Sequence, residues 1–140
     1  MIKRLVFLSF LSVLLLSACS NNDELSGKTF DVSGVSSPDN PDKFYPMMTL
    51  EFIDGKVITN SIAGEEGTYV LEDKELVIQF ENEHETLEME FTLEESDKDF
   101  SEYSAVISDS SFQMKDSEQV SKYKGFYFNL PSYQVEFIEK

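Results

Sequence analysis

The sequence predicts an all-β fold: a small antiparallel β-barrel or sandwich behind a cleaved N-terminal segment. Three observations carry this expectation. Beyond residue 27 the dominant hydrophobic signal has period two, the repeat of a half-buried strand. Turn signals separate these runs at intervals of about eight to twelve residues, the spacing of barrels and sandwiches. The chain has 140 residues, a length for one domain rather than two.

The segments in chain order bear this out. Residues 1–18 hold Lys3 and Arg4, no acid, and an unbroken apolar run over residues 5–16. That run is shorter than the roughly 20 residues a spanning helix requires, so it reads as a signal peptide. It ends in Leu16-Ser17-Ala18-Cys19, with the only cysteine of the chain. Residues 20–24 are polar and lack periodicity, which reads as a tether. Residues 33–46 contain three prolines and several Asp, Asn and Gly residues. They predict a long loop, from which Phe44 and Tyr45 fold back toward the core.

Strands follow. Met48, Leu50 and Phe52 alternate with Thr49 and Glu51, and Asp54-Gly55 turns that strand into residues 56–62; Asp-Gly between two such runs is a strong hairpin signal. Residues 68–71 and 75–80 form the next pair, joined through Glu72-Asp73-Lys74. Residues 85–94 alternate most clearly: Leu87, Met89, Phe91 and Leu93 on one side, Thr86, Glu88, Glu90, Thr92 and Glu94 on the other. One buried and one wet face make an antiparallel strand. Residues 103–107 predict a further strand and 116–124 a helical turn or two, capped by Asp116 or Ser117. Phe126, Phe128 and Leu130 predict one strand face, and Tyr133, Val135 and Phe137 the last strand.

Leu-Ser-Ala-Cys after a basic start and a short apolar run resembles the lipobox of bacterial lipoproteins. The resemblance implies cleavage before Cys19, two acyl chains on it, and a place at the extracytoplasmic face of a bacterial cell membrane. Two chains suffice for stable anchoring, where one is marginal. The expected division is 1–18 signal peptide, 19–26 lipidated Cys and tether, and 27–140 a β-rich domain. Within that domain, Leu25-Ser26-Gly27-Lys28-Thr29-Phe30, the hairpin of Phe52, Asp54 and Gly55, and Gly67-Thr68-Tyr69-Val70 resemble the small lipocalin-like domains of bacterial lipoproteins. Those domains often begin Leu-x-Gly-x-Trp; here Phe30 stands near the Trp position, one residue later.

Charge and composition bound the function. Eleven bases face 27 acids. Two of the bases, Lys3 and Arg4, lie in the first 18 residues, so nine remain against 27 acids and the remainder carries −18. Such a surface repels phosphate backbones, which excludes nucleic acid as a partner. A single cysteine excludes an internal disulfide and a cysteine-rich zinc site. The lone His84 sits among Glu81, Glu83 and Glu85 and reads as a solvated turn residue. The glutamates of residues 81–95 lie at alternate strand positions and lack the Gly-containing turn of a calcium loop. Gly27-Lys28-Thr29 lacks the first glycine of a phosphate loop, and Ser121 to Lys124 fits Ser-x-x-Lys without its partner motifs. No nucleophile–base pair is apparent.

The expectation is therefore a protein without enzymatic activity, cofactor or metal, which binds a small apolar or amphipathic ligand at the mouth of the barrel. The alternative is an acidic interaction module of the inhibitor, immunity or exclusion type that docks a basic envelope protein. The candidate contacts are aromatics in or beside irregular segments: Phe44, Tyr45, Tyr123 and Tyr127. Tyrosine suits contact because it offers a rigid apolar face with a polar tip.

Overall fold

A computed structural model describes residues 23–37, 39–62 and 65–140. The signal peptide, Cys19 and residues 20–22 lie outside the described residues. The fold is an eight-stranded closed barrel in which every strand pairs antiparallel with its neighbours in sequence, and the last returns to the first. The strands are β1 (Thr29–Ser37), β2 (Asn40–Ile53), β3 (Lys56–Thr59), β4 (Glu66–Glu72), β5 (Glu75–Glu81), β6 (Glu85–Glu95), β7 (Tyr103–Met114) and β8 (Val135–Glu139). One short helix, α1 (Lys124–Phe128), lies between β7 and β8. This up-and-down, lipocalin-like architecture leaves no strand at an open edge over its full length.

Alternation builds the barrel. Leu76, Ile78 and Phe80 on β5 and Leu87, Met89, Phe91 and Leu93 on β6 are buried, and their neighbours face water. Rings cross the interior in contact. Phe30 lies 6.1 Å from Phe52 and 5.7 Å from Phe137, Phe91 lies 5.6 Å from Phe137, and Phe52 lies 4.8 Å from Tyr69. Tight turns set the register. Asp54 and Gly55 take φ of 46° and 82°, the left-handed pair that a two-residue hairpin of matching twist requires. At Gly67 the strands approach so closely that a Cβ would lie 2.4 Å from the Gln79 carbonyl oxygen.

The first and last described residues lie on one rim. Asp23 Oδ1 accepts from the Leu25 and Ser26 amides at 2.8 and 3.0 Å, and Oδ2 accepts from the Tyr69 hydroxyl at 2.9 Å. Leu25 is buried in the core. The expected tether over 19–26 is thus corrected for residues 23–26, which form a turn docked against the barrel. At the other terminus the Lys140 amide donates to the Thr29 carbonyl at 2.9 Å.

Four local expectations are corrected. Residues 33–37 and 40–46 form no long loop; they extend β1 and β2 into a projecting hairpin. Pro41 and Pro46 are tolerated because β3 pairs with β2 only from Leu50 to Ile53, so the outer half of β2 is an edge. Residues 116–124 hold turns, and the helix comes later, at Lys124–Phe128. Phe126 and Phe128 therefore lie on a helix, not a strand. The strand expected over 103–107 continues to Met114, carried past residue 108 by a bulge between its pairings with Glu90 and Phe91.

Candidate functional site

β7 outruns β8. β8 pairs with β7 only at Tyr103, Ser104 and Ala105, whereas β6 pairs with β7 as far as Met114. From Val106 to Met114 the β8-facing edge of β7 has no backbone partner among the described residues. α1 and residues 129–134 occupy that side instead. The Tyr127 ring stacks on Phe112 at 5.7 Å, while Phe128 on the next position is 69% exposed. Between β7 and this connection runs a cleft of about 460 Å³. Ile107, Tyr127, Phe128, Leu130 and Pro131 give it apolar walls, and Ser108, Ser110, Ser132 and Asp109 give it a polar side.

A buried carboxylate places α1. Glu85, at the start of β6, is 1% exposed. It accepts from the Ser121 hydroxyl, the Lys122 amide at 2.7 Å, the Tyr123 amide at 3.3 Å and Asn82 Nδ2 at 3.3 Å. Burial alone would raise its pKa, but these donors outweigh burial and hold it below the ordinary value of 4.5. An ionised, fully hydrogen-bonded carboxylate thus ties residues 121–123 to the barrel, and α1 starts from there. Asn82 completes the arrangement by accepting from the His84 and Glu85 amides at 2.8 and 3.0 Å.

Glu136 does the same for the opposite side of β8. It is 1% exposed and accepts from Ser96, Ser101 and Ser104 hydroxyls at 2.8–2.9 Å, with Lys98 Nζ at 2.9 Å. Burial would raise its pKa; Lys98 and the three serines hold it lower than usual. The loop after β6 is thereby fastened over β8 near the chain's terminal rim. That rim also carries a polar cleft of about 440 Å³ walled by Glu24, Asp73, Glu94, Glu95 and Glu102. Among the described residues no group of three or more His, Cys, Asp or Glu side chains is placed to hold a metal ion.

The four candidate aromatics are scattered. Only Tyr127 lines the lateral cleft. Tyr123 is wholly buried and packs on Phe80 at 6.3 Å; its hydroxyl has no hydrogen-bond partner among the described residues, and burial followed by the charge of Glu65 pushes its pKa up to about 12. It is a core residue rather than a surface contact. Phe44 packs on Phe100 at 5.3 Å, and Tyr45 shares a 2.9 Å hydroxyl–hydroxyl hydrogen bond with Tyr133. Both lie on the projecting hairpin. Sequence reasoning missed Ile107, Leu130 and Pro131. Pro131 was the available signal, since it bars strand continuation next to an apolar Leu130.

No family model, no curated protein and no solved structure matches this chain. The fold and the cleft define a lipocalin-like barrel with a lateral cleft of mixed polar and apolar lining.

Proposed function

We propose that this chain is a membrane-anchored, extracytoplasmic bacterial lipoprotein that binds an apolar or amphipathic ligand without chemical change. The anchor is lipid on Cys19, argued from Leu16-Ser17-Ala18-Cys19 behind a short apolar run. The observation that carries the binding role is the cleft between β7 and the α1–β8 connection. An exposed Phe128 beside Tyr127, Leu130 and Ile107 offers an apolar wall in a concave setting whose remaining surface is polar, the mixed lining that suits an amphipathic ligand. Because buried side chains occupy the barrel interior, the proposed ligand is assigned to the side of the barrel rather than to its mouth.

Two measurements test this. The full chain in lipid nanodiscs is titrated with the neutral apolar dye N-phenylnaphthylamine. Saturable binding is expected, weakened about tenfold, or roughly 1.4 kcal/mol, by Phe128→Ala. Dye binding indifferent to that substitution removes the cleft from the reading. For the anchor, cells are fed alkyne-tagged palmitate: label is expected on the wild-type chain and absent from Cys19→Ser. Equal labelling of the two would refute anchoring at Cys19.

A further inference from the structure

The cleft has a second property besides its apolar walls, since one of its borders is an unpaired strand. From Val106 onward the β8-facing edge of β7 has no main-chain partner among the described residues, although the Ser110 amide donates to Asp109 Oδ1 at 2.8 Å. Unmet strand edges accept an added strand, in which main-chain hydrogen bonds supply affinity and alternate side chains supply specificity. The side chains of such a strand would point alternately to the two faces of the sheet. On the inner side they would meet Tyr127, Phe128 and Leu130.

On the outer side they would meet acid. Asp109 is exposed, borders the cleft, and lies directly across from Glu90; Glu88 follows one outward position along, opposite Ser111. Like charges facing each other across a strand pair are destabilising. No basic side chain bridges Glu88, Glu90 or Asp109 among the described residues, although nine other ion pairs are present. The outer face is therefore set up for cations that the chain does not itself provide.

We infer that the occupant of the cleft is an extended segment of another protein, with basic and apolar residues in alternation, which pairs with β7 at the Val106–Ser111 edge. This inference rests on the cleft being a binding site and names the chemistry of what fills it. A second copy of this chain is the less suitable occupant, because it brings its own acids to the same face.

The test uses the full chain in zwitterionic phosphatidylcholine nanodiscs, with empty nanodiscs as control. The probe is a dye-labelled, end-capped octapeptide of alternating lysine and valine. Three companions accompany it: an alternating glutamate–valine peptide, and the lysine–valine peptide N-methylated at every second residue in either phase. Saturable binding of the lysine–valine peptide is expected, weakened by salt and by at least about tenfold in Asp109→Lys. One N-methylated phase should lose at least about tenfold in affinity and the other should keep it, because only one set of amides faces β7. Bound peptide should also slow hydrogen exchange in residues 106–111.

Equal binding of both N-methylated phases would overturn strand addition, and equal binding of the glutamate peptide would overturn the charge argument. Concentration-dependent self-association that protects the same amides would give the edge to a second copy instead. If the peptide does not bind while N-phenylnaphthylamine still binds in a Phe128-dependent way, strand addition fails and the cleft stands as a small-ligand site. If neither binds, both readings fail.

Discussion

Two glutamates do work that their sequence neighbourhood conceals. Glu85 and Glu136 lie within acid-rich or alternating stretches and look like solvated face residues, yet both are buried. Each is kept ionised by hydroxyl and amide donors, and for Glu136 by Lys98. Their pKa values are depressed in the folded state, so their contribution to stability is present above the unfolded value of 4.5 and is lost as pH falls through the lower folded value. Thermal melts from pH 7 to pH 3 should therefore show a loss of stability below about 4.5. Glu136→Gln should be less stable than wild type at pH 7 and flatter with pH in this window. A parallel pH profile in the two proteins would contradict this. Neither burial was legible from the sequence, because most of the donors come from residues 32–40 positions away along the chain.

At the scale of elements, period two carried most of the reading. β5 and β6 have the expected bounds within a residue or so, because each alternates over a full strand length and ends at a polar turn. The hairpin at Asp54-Gly55 was legible for the same local reason. Legibility failed where pairing was decided elsewhere. Prolines at 38, 41 and 46 signal a loop in isolation, but for the segment holding Pro41 and Pro46 β1 supplies a partner on one side and no strand needs the other. Phe126 to Phe128 have strand-forming side chains, yet the helix forms because Glu85 fixes residues 121–123 and Phe112 receives Tyr127. Gly67 gives a prediction at this scale. An alanine there would press on the β5 backbone, which cannot swing aside as a side-chain tip can. Gly67→Ala should cost about 1–3 kcal/mol in denaturant unfolding. A change within about 0.5 kcal/mol would show that β4 and β5 can separate without penalty.

For the whole molecule, the aromatic-rich composition resolves into a ring-lined interior. Tyr69, Tyr103 and Tyr123 all have pKa values pushed up to about 12, chiefly by burial, aided by Asp23 at Tyr69, by Glu24 at Tyr103 and by Glu65 at Tyr123. A raised tyrosine pKa favours the folded state fully below the unfolded value of 10.0, and that stabilisation is lost as pH climbs toward 12. Absorbance titration should show these three of the chain's six tyrosines ionising only as the barrel opens, coincident with loss of the folded signal. Their smooth titration near pH 10 with the fold intact would show that the interior admits water. The fold class was legible because a meander needs only local pairing rules. The lateral cleft was not, since it exists through a mismatch in length between β7 and β8 that no local pattern announces.

The shared rim of the two chain ends gives the barrel a compass bearing. Asp23 and Lys140 both leave from the side where Tyr69 and Thr29 receive them, while β7 climbs from that side toward α1. With the anchor proposed at Cys19, the barrel would be held from the side of Asp23, and the opening beside Phe128 would face away from it. A reporter or affinity handle fused after Lys140 would crowd the base and spare the opening, whereas one inserted in the hairpin between β1 and β2 would stand on the outward side. Fusion site is then a ruler for orientation: the two chimeras should differ in how readily an external antibody reaches the handle on intact cells stripped of their wall.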